Sequence, residues 1–260
     1  FAAAALRAGQ VITTALTPVA ATNLSAATAC NDPALPVLNE TIQNLVIFAE
    51  VIAIDGVGKI LGQSGPCAAR SDPHLPALGL MQFDVADMAA MAANGTINTV
   101  VLHEMQHVLG FGTLWNGPPD FPTILVRDTS TTNPIYLGAA ARAAYVAAGG
   151  TSPTGVPVEG GTIDGTSNSH WRKSVFRSEL MTGFIELIAE PFSKISMAAL
   201  ADLGYTVSYA TADPYSVPSP GAIRLNSLGD SLATTGERLI RPRFKVDAAG
   251  AMTPVVRTVK

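Results

Sequence analysis

A chain of 260 residues, 48% hydrophobic and 14% charged, is long enough to bury one large domain or two small lobes around a shared cleft. No apolar run reaches the roughly 18 to 20 residues that a membrane-spanning helix needs, and a net charge of −4 argues against a general nucleic-acid surface. Charge is unevenly spread: residues 221–260 hold seven basic groups (Arg224, Arg238, Arg241, Arg243, Lys245, Arg257, Lys260) and three acidic ones (Asp230, Glu237, Asp247), so this stretch is +4 and the rest −8.

The chain opens on Phe1, with neither a Met nor a charged-then-apolar leader, which reads as a processed or trimmed form. "FAAAALRAGQVITTAL" places good helix formers before a β-branched run and predicts a helix over 2–12. Cys30 and Cys67 are the only cysteines. One disulfide in an oxidising compartment is the simplest functional reading, and two buried thiols are the alternative. Sequons at Asn23, Asn39 and Asn94 carry little weight without a known source. "NLVIFAEVIAIDG", closed by Asp55-Gly56, predicts a buried strand. "LPALGLMQFDVAD" is a second extended segment, whose Pro and Gly suit an edge strand.

Residues 97–109 form the strongest predicted helix, with Thr96 as N-cap and Gly110 as stop. From Phe111 to Ser169, prolines 118, 119, 122 and 134 and several glycines mark a loop-rich insertion, with one helical window at "LGAAARAAYVAAGG". "FSKISMAALADLGYTV" returns to helix, capped by Ser193 or Ser196 and stopped at Gly204. A Pro-rich joint, "ADPYSVPSPGA", then precedes "RLIRPRFKVD", which alternates like a strand. There is no internal repeat of useful period.

At about 100° per residue, His103, His107, Val100 and Glu104 share one face of the predicted helix, and Val101, Leu102, Met105, Val108 and Leu109 the other. Histidines at i and i+4 point the same way and can share a zinc ion, with Glu104 beside them as general base for a metal-held water. A purely structural helix would instead bury an unpaired carboxylate beside two imidazoles, which is costly. The common longer string HExxHxxGxxH is matched through Gly110, but Thr113 stands where the third histidine belongs. The third ligand must come from elsewhere. His170 can return across the insertion at modest entropic cost. Glu159 and Glu179 are the carboxylate alternatives of a gluzincin-type hydrolase, and His74, in "SDPHLP", reads as a surface loop residue.

The chain resembles leishmanolysin, a metallopeptidase of the metzincin clan, and its bacterial relatives. "VVLHEMQHVLGFG" is similar to that family's zinc helix, and "SHWRKSVFRSELMTG" to the distant segment that supplies the third histidine and then the Met-turn. "LVIFAEVIAIDG", "CAARSDPHLPALGLMQF", "ISMAALADLGYTV" and "ADPYSVP" also match in order, so the resemblance covers about residues 2–217. It implies a two-lobed α+β metzincin fold: residues 1–110 form an N-terminal lobe carrying the zinc helix, 111–220 a C-terminal lobe with third ligand and Met-turn, and 221–260 a basic tail or linker. It implies a zinc-dependent endopeptidase acting on proteins or peptides, secreted or cell-surface, with zinc ligands His103, His107 and His170, catalytic Glu104, and Met181 beneath the metal. Met197, inside an amphipathic helical pattern, competes for that last role and reads as core. Substrate would pair with an edge strand near Leu78, Gly79 and Leu80, reaching Gln82, and Val100 would line an apolar pocket. A binding protein that holds zinc only for stability is the other class. The chain departs from the family in being poor in cysteine, and its basic tail has no familial counterpart. Asp120 and Asp128 are candidate calcium ligands, with solvated loop residues as the plainer reading. No motif bears on calcium content or oligomeric state.

Overall fold

The computed structural model describes residues 1–116, 125–152, 154–163, 165–186, 188–219 and 237–255. Its architecture is α+β. Helix α1 (Ala2–Val11) leads into a set of two-residue ladders, followed by strands β1 (Val46–Ile52), β2 (Gly62–Arg70) and β3 (Pro76–Asp84). Helix α2 (Ile97–Val108) carries the HExxH string, α3 (Ala139–Ala147) lies in the insertion, and α4 (Lys194–Asp202) follows it. Three short strands, β4 (Glu237–Leu239), β5 (Phe244–Val246) and β6 (Met252–Pro254), end the described chain.

These strands form one sheet in the order β6-β5-β2-β3-β1, with β4 also paired to β2. β2 and β3 are antiparallel, and β1 runs parallel to β3 with Val46 opposite Leu78 and Ile52 opposite Asp84. The expectation of an edge strand at 75–87 is therefore corrected: β3 is interior, and among the described residues no strand pairs with the far side of β1. Both sequence cues have local explanations. Pro76 is the first residue of its strand, where no ladder hydrogen bond is lost. Gly79 is the point where α2 lies on the sheet, and a side chain there would overlap Val108 Cγ1.

Even-numbered residues of β3, Leu78 and Leu80, face a core built with Val19, Leu24 and Ile42, closed by the Cys30–Cys67 disulfide. Odd-numbered Met81 and Phe83 face α2 and pack on Val100, Val101, Met105 and Val108. A third core holds the C-terminal half together. Its centre is aromatic: Trp171 lies 5.1 Å from the ring centroids of both Phe111 and Trp115, with Tyr136 and Phe176 alongside. Asp202 in α4 accepts from the N–H groups of Ala140 and Ala141 at 2.8 and 2.9 Å, capping α3 and binding the insertion to this core. Ser193 caps α4 by accepting from Ile195 and Ser196. Thr96 stands at the N-cap of α2 without a side-chain cap bond and donates to Asn94 instead.

Residues 237–255, read from sequence as tail or linker, belong to the sheet. β4 and β5 run parallel to β2, with Glu237 opposite Gly62 and Val246 opposite Arg70, and Val246 is fully buried. The predicted single strand over 238–247 is two strands, interrupted at Arg241-Pro242, because proline has no N–H for a ladder.

Candidate metal centre

The site begins with how α2 stops. Gly110 takes φ +110° and Gly112 φ +71°, left-handed conformations that turn the chain sharply away from the helix axis. Gly112 also allows a close approach, since a side chain there would overlap the carbonyl oxygen of Ser169. That contact carries His170 to the face of α2 that presents His103 and His107. Trp171 fixes the position: its indole N–H donates to Ser196 Oγ at 2.8 Å, and its backbone N–H donates to Met181 O at 2.9 Å.

The three imidazoles converge through Nε2. Separations are 3.0 Å between His103 and His107, 2.9 Å between His107 and His170, and 3.2 Å between His170 and His103. Each opposite nitrogen meets a backbone carbonyl: Nδ1 of His103 lies 2.7 Å from Leu180 O, that of His107 2.8 Å from Phe111 O, and that of His170 3.1 Å from Thr166 O. A carbonyl only accepts, so Nδ1 carries a proton in each ring, and Nε2 is the nitrogen whose lone pair a neutral ring turns inward. Three inward-facing lone pairs repel unless a metal ion, or a proton on Nε2, lies between them. Tetrahedral bonds of about 2.0 to 2.1 Å put ligand nitrogens ~3.3 Å apart, close to the observed spacing, and backbone acceptors behind each ring orient it as metal-binding histidines require. The donor set fits a divalent metal.

A fourth group joins them that no spacing argument found. The carboxylate of Glu237, in β4, has Oε2 3.0 Å from His103 Nε2 and 3.1 Å from His107 Nε2, and Oε1 2.5 Å from His170 Nε2. His103, His107, His170 and Glu237 form a group able to hold a metal ion, each offering one ligand atom. Their charges are coupled. Burial opposes ionisation of Glu237, yet the His170 and His107 charges hold its carboxyl well below the usual range. Burial likewise works against a charged His103, but the Glu237 hydrogen bond and charge prevail and lift it to about 9. Burial lowers His107.

Glu104 is 3% exposed, and its Oε2 accepts from Ser64 Oγ at 2.6 Å. Gly62 leaves space for the carboxyl, since a Cβ there would come within 3.0 Å of Oε1. Burial, then the charge of Glu237, raises the Glu104 pKa. Beside it lies a small cavity lined by Leu61, His103, Glu104, Thr182, Gly183, Ile185 and Glu237. Its volume of about 20 Å³ admits one water and little else.

Met181 is fully buried in the turn whose preceding carbonyl, that of Leu180, accepts from His103. Glu179 turns its oxygens the other way, accepting from Met181 N at 2.7 Å and from Ser193 Oγ and Ser196 Oγ at 2.6 Å each. Glu159 accepts from Lys173 N at 2.8 Å. Neither belongs to the group able to hold a metal. Met197 is buried in the aromatic core, and His74 sits in a left-handed turn outside the group.

The assignment of Leu78, Gly79 and Leu80 to substrate pairing is corrected: β3 is hydrogen-bonded on both sides, so its backbone has no edge to offer. Val100 is 1% exposed in the core between α2 and the sheet and does not line the cavity. Asp128 is an exposed loop residue beside Arg127, and Asp120 lies outside the described residues. So do Arg224, Asp230, Arg257 and Lys260 of the basic tail.

A search of the curated proteins finds no match. The leishmanolysin family model of peptidases matches residues 19–216, a span that includes α2, the Gly112–Ser169 contact, His170 and the turn at Met181. With that span covering most of the chain, the protein belongs to the leishmanolysin family of metallopeptidases.

Proposed function

We propose that this chain is a zinc-dependent endopeptidase, with His103, His107 and His170 as its zinc ligands and Glu104 as its general base and acid. The observation that carries the reading is the convergence of three Nε2 atoms within 3.2 Å of one another, each ring backed by a carbonyl at Nδ1. Zinc, when bound, supplies Lewis acidity that polarises a scissile carbonyl and acidifies a water molecule. Glu104 takes the proton from the attacking water and passes it to the leaving amine. Burial, then the charge of Glu237, raises its pKa, a direction that favours a group able to take up a proton. Ser64 holds the carboxylate in place through Oε2.

Met181 serves as the Met-turn residue. The hydrogen bond of its N–H to buried Glu179 and the bond of neighbouring Leu180 to His103 support that role. The fold is then a two-lobed metzincin, divided near Gly110, with residues 1–110 above the cleft and the described residues of 111–219 below it. The single disulfide supports work outside the cytoplasm. No helix of the described residues is long and apolar enough to cross a membrane.

Glu104→Ala keeps about one zinc per chain and loses chelator-sensitive peptide hydrolysis by a factor of roughly 10³ or more. His170→Ala loses zinc on dialysis. Elemental analysis with a fluorogenic peptide library checks both, and undiminished turnover in the Glu104 variant or full zinc in the His170 variant would refute the assignment.

A further inference from the structure

We infer that β4 is a built-in occupant of the active-site cleft, its Glu237 carboxylate the fourth ligand of the metal held by His103, His107 and His170, so that the chain inhibits itself. The inference rests on the zinc-peptidase reading above.

Three independent features carry it. The first is the carboxylate, which lies 2.5 to 3.1 Å from all three Nε2 atoms, where the remaining ligand of a three-histidine metal belongs. The second is the strand register. Glu237, Arg238 and Leu239 lie opposite Gly62, Gln63 and Ser64, and Ile240 N donates to Ser64 O at 2.7 Å. β4 thus occupies the edge of β2 directly over Glu104, whose carboxylate Ser64 also binds. The third is how the body of the protein is cut to receive it. A side chain at Gly165 would overlap the carbonyl oxygen of Glu237, and one at Gly65 that of Ile240. Both glycines lie outside the tail, one in the loop before His170 and one in β2.

Anchoring continues past the site. Arg241 donates to Thr113 O at 3.0 Å, Arg243 N to Cys67 O at 2.9 Å, and Val246 is sealed in the core. This is strand addition in cis, in which main-chain bonds supply affinity and one side chain supplies the chemistry. Because the ligand is tethered, it competes with water and substrate at high effective concentration. Glu237 is also the only acidic residue between Ser231 and Val246, amid Arg238, Arg241, Arg243 and Lys245. What remains of the cleft at Glu104, about 20 Å³, takes a water and not a substrate side chain.

The test compares the full chain with Glu237→Ala and Glu237→Gln. Each is loaded with zinc for hydrolysis of a fluorogenic peptide, and with cobalt(II) for titration with acetohydroxamate followed by visible absorption. If Glu237 holds the fourth position most of the time, both variants bind acetohydroxamate more than ~10-fold tighter than the parent, with an altered cobalt spectrum. They also gain more than ~10-fold in kcat/KM, a gain abolished by adding Glu104→Ala. Glutamine keeps the size of the side chain, so Glu237→Gln carries the test where the alanine variant folds poorly. Equal acetohydroxamate affinity and an unchanged cobalt spectrum in parent and both variants overturn the inference and leave the peptidase reading standing. Tighter acetohydroxamate binding without peptide hydrolysis supports Glu237 ligation and sinks the peptidase reading. A parent that binds no metal defeats both.

Discussion

Glu104 and Gly112 show two ways in which a single residue fixes this site. Glu104 works through its carboxylate, and its meaning is visible in the string His-Glu-x-x-His, because a helix puts residues four apart on one face. Gly112 works through the side chain it lacks. Its φ of +71° and its contact with the Ser169 carbonyl bring the chain end that bears His170 against the end of α2. Gly112→Ala should cost about 1 to 3 kcal/mol in backbone strain alone, before the overlap with Ser169 is counted. It should also weaken zinc retention, because the third imidazole is displaced. Urea unfolding and a chelator competition measure the two effects, and a variant with parental zinc affinity would show that the contact does not position His170. Glu237 marks the opposite limit of legibility. It stands 134 residues from His103, in a stretch with no ligand spacing around it, and its only signal is an isolated negative charge among basic neighbours.

Among the elements, the longer helices followed their sequence patterns, while the short ones at Ala26–Cys30, Met88–Asn94 and Lys173–Phe176 were not foreseen. α1, α2, α3 and α4 fall inside their predicted windows, since an amphipathic period and a stop signal are local properties. β2 escaped notice: "GQSGPCAAR" has two glycines, a proline and small residues, none of which favours a strand, yet it is almost wholly buried. Its structure comes from neighbours on both sides, β3 on one and β4 and β5 on the other. β1 and β3 exchanged their expected places because apolar content does not tell a strand which neighbours it will have. The segment leading from the turn at Met181 to α4 adds a pH dependence. Burial pushes the Glu190 carboxyl up to about 8 from an ordinary value near 4.5, so the native state keeps a proton that the unfolded chain has already lost. Stability from this group is complete below pH 4.5 and is lost as pH rises toward 8. Glu190→Gln should therefore raise Tm more at pH 8 than at pH 5, and parallel Tm profiles for variant and parent would contradict this.

For the molecule as a whole, the Cys30–Cys67 bond closes a loop of 37 residues and ties the N-terminal ladders to β2. The chain-entropy relation gives about 4 kcal/mol for a loop of that length. Cys30→Ser with Cys67→Ser should lower the free energy of unfolding by roughly that amount in a denaturant titration, and a loss under about 1 kcal/mol would show that the core, not the bridge, holds this region. The sequence by itself determined that two histidines and the glutamate between them share a helix, the four helices α1 to α4, and the family, because each rests on residues close in the chain or on a motif read in order. Only the tertiary structure decided which strand is interior, where the last residues of the chain go, and that a glutamate from those residues meets the three imidazoles. Those outcomes depend on pairings between distant segments, set by burial and close backbone approach, and no local pattern encodes them.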